Sequence, residues 1–567
     1  MTEYDAIVVG SGISGGWSAK ELAEKGLNVL VLERGPKLEH AKDYDDFKAP
    51  WQRPNFDWIN QDELQKDYPI QSRHAGYAMH ESNKHFWVKD SEHPYSTPKD
   101  KPYAWVRGYH TGGRSLMWWR QSYRLGPQDF TANLEDGHGV DWPIRYEDLA
   151  PWYDYVETFA GIAGTQENIP HLPDSVFQPP FDLTCVEKDF KKKVEQHFKG
   201  RKVIPARVAH LTKPTKEQMS LGRGQCQVRN RCAKGCSFGA YFSSLSATLP
   251  AAMRTGRCTV VHNAIVHSLD YDELNNRIQG VKVIDANTNE VKRYKARLVF
   301  LNASTIATAM ILLQSKSKRF PNGLANDSGH VGHNLMDHVS GGHATGDIAG
   351  YTNIYYHGRR PSGIYVPRFT NIGNDQREFK RGFGYQGGSH RVGWSGERAG
   401  VGEAFKLANQ KPGTWRMHLY SFGEVLPDYN NHVSLHKTKK DKWGLPLAHI
   451  SAKMGKNEEL MMQAAQQEAY AMLKSFGAIN INRGPDAPIN VSTPGDRIHE
   501  MGTARMGRDP KTSVLNKWSQ AHDVPNLFIT DGAAMTSGGC QNPSLTYMAL
   551  SARAADYAVK QFKANKI

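Results

Sequence analysis

"YDAIVVGSGISGGWSAKELAEKGLNVLVLER", residues 4–34, decides the fold. Residues 4–10 are a short apolar run suited to a buried parallel strand, 11–26 are a glycine turn opening a helix, and 27–34 are a second apolar strand. Together they predict a βαβ unit. Gly10, Gly12 and Gly15 form G-x-G-x-x-G at the strand-to-helix turn, where missing side chains let the backbone approach a pyrophosphate over the helix N-terminus. Glu33 ends the second strand, where a carboxylate accepts hydrogen bonds from an adenosine ribose. The pattern serves FAD and NAD alike.

The rest of the chain sets limits on that unit. At 567 residues and 63.5 kDa, with 39% hydrophobic residues, it is long enough for two or three domains with large cores. The formal charge of +14 is spread along the sequence without a long basic run or a nucleic-acid motif, so it marks a solvated surface that favours acidic protein partners, not nucleic acid. No run of eighteen or more apolar residues is present, and the first residues do not read as an export signal; the expectation is a chain that neither spans a membrane nor exports itself. Six cysteines in this length are no disulfide framework. Three of them, Cys226, Cys232 and Cys236, crowd into "GQCQVRNRCAKGCSFGA" (224–240), which makes metal binding the first candidate.

Near the C-terminus, "NLFITDGAAMTSGGCQNPSLTYMALSARAADYAVKQFK" (526–563) predicts an apolar strand closed by Asp531 and Gly532, then a long helix. Asn542 and Pro543 suit its N-cap and first position, and Leu545, Met548, Ala549, Ala552, Val559 and Phe562 its apolar stripe, so the helix is expected to start at Asn542. Its positive end can steady negative charge on a reduced flavin ring placed there.

With these segments in view, the chain resembles the glucose-methanol-choline (GMC) flavin oxidoreductases from end to end. "TGGRSLMWWR" (111–120), "GHVGHNLMDH" (329–338), "IHEMGTARMG" (498–507) and "DGAAMTSGGCQNPSLT" (531–546) follow the N-terminal fingerprint in the family's order. The resemblance implies an α/β fold: a non-contiguous Rossmann-type FAD-binding domain with an inserted α+β substrate domain. Residues 1–40, 101–130, 220–345 and 496–567 are assigned to the FAD domain, with the cysteine loop 224–240. Residues 41–100, 131–219 and 346–495 are assigned to the substrate domain and cover segments. Within the last, "RPSGIYVPRF" (360–369), "TWRMHLYSF" (414–422) and "NNHVSLH" (430–436) read as strands, and "NEELMMQAAQQEAYAMLKSFG" (457–477) as an amphipathic helix.

The resemblance also assigns a site. His499 matches the histidine that takes the substrate hydroxyl proton, and Asn542 the second member of that pair. The chemistry needs both: hydride leaves carbon as alkoxide character develops, imidazole with an ordinary pKa near about 6.5 accepts the proton, and an amide holds the oxygen without competing. Gly112, Gly113 and Ser115 match the turn against the flavin, Val266 the strand residue near the adenine, and Asp531, Gly532, Asn542 and Thr546 the C-terminal cofactor segment. Met117 stands where some members attach FAD through histidine, which implies non-covalent FAD. Ser304 replaces a common glycine. His333, His338 and His522 are read as structural.

The spacing of Cys226, Cys232 and Cys236 resembles a sugar-dehydrogenase branch in which three thiolates hold a [3Fe-4S] cluster; thiolates suit such clusters, and Arg223, Arg229, Arg231 and Lys234 would offset its charge. Metal-free thiols and structural zinc are the alternatives. That branch implies a small partner subunit bearing the export signal, a cytochrome c acceptor and a periplasmic location by co-export, with the cytoplasm as the alternative. The C-terminal wording looks most like glucoside 3-dehydrogenases, implying oxidation of a sugar or glucoside at C3. Trp51, Trp58, Trp87, Trp105, Trp118 and Trp119 suit stacking on sugar faces. Alternatives are a sugar oxidase using dioxygen, a dehydrogenase for gluconate, fructose or the glucose anomeric carbon, and a non-catalytic redox sensor.

Overall fold

The computed structural model describes residues 3–354, 363–392, 400–410 and 413–567. The opening unit forms as expected: β1 (Glu3–Val9), α1 (Ile13–Glu24) and β2 (Val29–Leu32), with β1 and β2 parallel and paired Ala6 to Val29 through Val9 to Leu32. Valine, isoleucine and leucine buried on both faces make this the centre of a sheet, which is why the run does not alternate with polar residues. The sheet order is Cys258–Val261, β2, β1, Val291–Leu301, Arg277–Asp285, Ala264–Asp272. The first four strands are parallel neighbours, the last three an antiparallel meander, and Leu527–Phe528 runs parallel beside Val291–Leu301.

Close backbone approach at the first turn requires glycine. A Cβ on Gly15 would stand 1.9 Å from the Gly10 carbonyl oxygen, so Gly15 lets α1 lie on the end of β1. Gly10, at φ +93°, sits against the Asn302 carbonyl. Nothing lies within 4 Å of the Cβ position of Gly12, the N-cap of α1, which faces open space.

The second sheet contains Ile479–Asn482, His343–Ile348, Trp415–Glu424, Phe383–Arg391, Ile364–Val366 and Ile204–Pro205 in that order, with His338–Val339 beside Trp415–Glu424. The helix Lys456–Phe476 packs its Met461, Met462, Ala465, Ala469, Met472 and Leu473 face on this sheet and stops at Gly477, which takes the left-handed conformation of a C-cap. Of the expected strand 360–369, residues 360–362 lie outside the described residues. The expected strand 430–436 forms as His432–Lys440, but it pairs with Pro446–Ser451 as a separate hairpin, and Val433, Ala448 and Ile450 pack against Ile306, Ala309 and Met310 of the helix Thr305–Gln314. The hairpin therefore packs on that helix and reaches the cavity wall through Pro446, Leu447 and Ala448, and it is not part of the second sheet.

The terminal helix begins later than expected. It spans Ser544–Lys563 with Pro543 as N-cap, and the expected stripe is buried in full. The Asn542 amide is engaged elsewhere, so it does not cap. Gly15→Ala is predicted to destabilise the apoprotein by about 3 kcal/mol, read as a lower unfolding midpoint. Gly12→Ala is predicted to leave the apoprotein midpoint unchanged and to lower cofactor retention on gel filtration.

Candidate active site

A cavity of about 1670 Å³ runs between the two sheets. Its wall includes Gly10, Gly12, Glu33, Gly113, Ser115, Val266, Asp531, Gly532, His499 and Asn542, so most of the expected cofactor residues and both expected catalytic residues share one space. Gly15, Gly112 and Thr546 are not on that wall. Gly15 is consumed by helix packing, Gly112 supplies a left-handed bend at φ +87°, and Thr546 is fully buried against the Tyr153 hydroxyl at 2.8 Å. Trp87, Trp105, Trp118 and Trp119 line the cavity, whereas Trp51 and Trp58 are 75% and 62% exposed on the outer surface. Those two do not serve substrate stacking there.

The cradle at the first turn fits a dinucleotide. Glu33 is buried, accepts from the backbone N–H of Ser11 at 3.1 Å and of Gly35 at 2.9 Å and from the Ser11 hydroxyl, and burial pushes its carboxyl up. Ser14, in the first turn of α1, holds a buried hydroxyl with no partner on the cavity wall. An orphaned donor at a helix N-terminus beside Gly12 is where a pyrophosphate oxygen belongs. FAD held here would supply the hydride acceptor.

Asp531 fastens the opposite wall. Its carboxylate accepts from Ser304 N–H at 2.9 Å, the Thr308 hydroxyl at 2.7 Å and Ala533 N–H at 2.9 Å, and burial raises its pKa to about 6. Ser304 stands at φ +77°, a conformation that favours glycine, and its hydroxyl accepts from Arg114 at 2.6 Å. Arg114 in turn pairs with Glu500 at 2.7 Å. Serine therefore does enter the glycine position, and its side chain is used.

The reacting end is built around two histidines. His338 Nε2 lies 2.9 Å from the Gly539 carbonyl oxygen, which can only accept, so that nitrogen carries the hydrogen. Burial lowers the His338 pKa to about 4, which keeps the ring neutral and its Nδ1 an acceptor. His499 Nδ1 is 2.7 Å from that acceptor and must donate. The His499 Nε2 lone pair is thereby left toward the cavity. Burial first, then the neighbouring His338 ring, which leaves no room for a second cation, and the Arg497 and Arg114 guanidiniums hold the His499 pKa well below its ordinary value, so the ring is a free base at neutral pH. Asn542 Nδ2 is 3.3 Å from His499 Nε2, and Asn542 Oδ1 accepts from Gln386 Nε2 at 2.6 Å. That bond turns the amide N–H toward the base.

His338 was expected to be structural, and its contact with His499 corrects that expectation. His333, stacked on Tyr429 at 3.9 Å, and His522, bonded to Ser513 at 3.0 Å, do remain apart from the site. Asp337 is a second residue that sequence reasoning missed. Its buried carboxylate accepts from the N–H groups of His338 at 2.8 Å, Gly495 at 2.8 Å, Arg497 at 3.1 Å and His499 at 3.0 Å. It clamps the two histidine segments together, and burial beside Glu500 raises its pKa to about 7. "LMDH" was the available signal for both residues.

The cysteine loop tells a different story. Among the described residues no group of three or more His, Cys, Asp or Glu side chains is arranged to hold a metal ion. Cys232 lines the cavity and lies 3.7 Å from His210 Nε2, while Cys226 and Cys236 are off the wall. The cationic collar is largely committed: Arg229 pairs with Asp46, Lys234 with Asp57, and Arg231 donates to the Lys48 carbonyl. Arg223 is buried among the carbonyls of Phe159, Ala160 and Gly239. The loop as it stands does not gather its three thiols around a site for an iron–sulfur cluster.

Because His499 stays unprotonated well below pH 6.5, kcat/KM is predicted to fall only as pH drops through its lowered folded pKa. His338→Ala removes the acceptor and opens the burial, so that acid limb should move up toward 6.5 while kcat falls about 10- to 100-fold. An unmoved limb contradicts the pairing.

GMC oxidoreductase profiles match residues 4–340 and 427–551. The chain is 29% identical to 2-methyl-1,2-propanediol dehydrogenase of Mycolicibacterium austroafricanum over 99% of its length and 96% of the relative's. It is 28% identical to the fructose dehydrogenase large subunit of Gluconobacter japonicus over 99% and 98%, and 26% identical to the gluconate 2-dehydrogenase flavoprotein of Pantoea cypripedii over 100% and 95%. The fold is similar to that of formate oxidase of Aspergillus oryzae RIB40, with a TM-score of 0.60 at 15% identity over 100% of this chain and 99% of that one. The chain belongs to the GMC oxidoreductase family.

Proposed function

We propose that this enzyme is an FAD-dependent dehydrogenase that oxidises a secondary hydroxyl of a sugar or glucoside, at C3, to a ketone. The observation that carries it is the unprotonated Nε2 of His499 held beside the Asn542 amide on the cavity wall. A carbinol oxygen seated across both groups replaces their mutual hydrogen bond, accepting from the Asn542 N–H and donating to His499 Nε2. Its O–H and C–H bonds break as C=O forms: the proton goes to His499 Nε2, and two electrons with the hydrogen leave as hydride. The neighbouring Glu500–Arg114 pair and the Asp337 clamp keep the base from moving as it gains charge. Sugar substrates are supported by the polar face of the second sheet, where Gln386, His418 and Asn482 line the cavity, and by similarity to fructose and gluconate dehydrogenases.

The finer reading has electrons leaving through loop 224–240 as a [3Fe-4S] cluster to a cytochrome c, with a small signal-bearing subunit and periplasmic co-export. Thiol spacing supports the cluster; the side-chain placement among the described residues, which gathers no metal-holding group, stands against it. A second reading, a sugar oxidase returning electrons to dioxygen, is supported by similarity to paromamine 6'-oxidase of Streptomyces fradiae.

Anaerobic titration with methyl glucoside, glucose, gluconate and fructose is expected to bleach the flavin with at least one of them, and His499→Ala to slow bleaching about 10²- to 10⁴-fold. No bleaching by any sugar refutes the sugar reading. Iron and acid-labile sulfide in anaerobically purified protein, lost in Cys232→Ser with flavin reduction retained, are expected from the cluster reading. Iron-free protein that makes peroxide supports the oxidase.

A further inference from the structure

The cavity wall carries several guanidiniums, and nearly all are engaged. Arg34 pairs with Asp441, Arg73 with Asp496, Arg107 with Asp90, Arg114 with Glu500 and Arg416 with Asp347. Arg391 donates to the carbonyls of Gly413, Thr352 and Ile354, and Arg120 to those of Leu116 and Cys232. Arg497 differs from all of them. Its side chain makes no hydrogen bond or ion pair with any described residue, and its Nε is buried without a partner. Only its backbone is held, by Asp337.

Arg497 stands two residues before the base. His74, on the same wall and within electrostatic reach of Arg497, also has a buried ring nitrogen, Nε2, without a partner; its ring is stacked on Trp87 at 5.5 Å. Arginine keeps its proton in proteins, so half-burying it uncompensated is costly unless an anion arrives. A guanidinium fork matches a carboxylate bidentately. One fixed positive charge beside one neutral imidazole balances a monoanion, not the dianion of a phosphate ester.

Taking the sugar reading above as its basis, we propose that Arg497, assisted by His74, anchors a carboxylate on the substrate, making the preferred substrates sugar acids: aldonates or glycosiduronates whose carbinol lies at His499. Arg497 is thus a specificity-determining residue. Its backbone is tethered to Asp337, which also holds His499, so the arginine side chain springs from a point fixed relative to the base.

The test compares gluconate and methyl glucuronide with methyl glucoside in the holoenzyme. The parent is expected to favour an acid by at least about tenfold in kcat/KM. Arg497→Met should cut the acid-to-neutral ratio about 10²-fold, mostly through KM, with Arg497→Lys between the two. In the His499→Ala background, where turnover is blocked, calorimetry should show gluconate binding at least about tenfold weaker when Arg497→Met is added. An unchanged ratio in Arg497→Met, or a parent reduced by methyl glucoside and by neither acid, overturns the anchor and leaves the sugar reading standing. A flavin reduced by none of the three overturns the anchor, and one that glucose and fructose also leave oxidised overturns the sugar reading as well. Glucose 6-phosphate preferred over both acids replaces the carboxylate with a phosphate and also overturns the proposal.

Discussion

The contact between His499 Nδ1 and His338 Nδ1, 2.7 Å, is the constraint on which the site depends. Two imidazoles facing each other through like nitrogens cannot both be donors there. One must give its hydrogen and the other its lone pair, and the Gly539 carbonyl decides which. The decision passes from a backbone oxygen through a buried neutral ring to the base, fixing the reactive nitrogen without any carboxylate next to the imidazole. A carboxylate in that position would raise the base's pKa; a neutral histidine orients it and leaves the pKa low. Asp337 contributes from one step back, through backbone N–H groups, so its carboxyl oxygens hold the scaffold rather than the ring.

The same economy appears on the cofactor side. Gly15 and Gly10 remove side chains where α1 crosses the sheet end, Gly12 leaves its Cβ position open, and Asp531 ties the loop at Ser304 to the C-terminal segment. Arg114 links that loop to Glu500, the residue after the base. Cofactor cradle and proton acceptor are therefore parts of one hydrogen-bonded frame, and a strained serine is tolerated because its hydroxyl completes it.

Much of this was legible in the sequence, for physical reasons. The βαβ unit is specified by local periodicity and by glycines whose neighbours lie a few residues away. His499 and Asn542 were found through their motifs, and the cavity brings them together. What escaped depends on distant partners. His338 acquires its role from a residue 161 positions away, and nothing local separates it from other buried histidines. Asn542 carries a good N-cap side chain, but Gln386 from the second sheet competes for its oxygen, so the cap passes to Pro543. Thr546 sits in the right segment with its hydroxyl turned to Tyr153. At the cysteine loop, spacing named three thiols, while the side-chain directions and the pairing of Arg229 and Lys234 with Asp46 and Asp57 were set by segment 45–57, which spacing does not report.

Nitrogen-15 NMR of histidine-labelled holoenzyme at neutral pH, with the His499 signals assigned by their loss in His499→Ala, tests the central claim most directly. The account predicts a neutral ring with hydrogen on Nδ1 and an unprotonated Nε2. A His499 imidazolium, or a neutral ring with its hydrogen on Nε2, would contradict it.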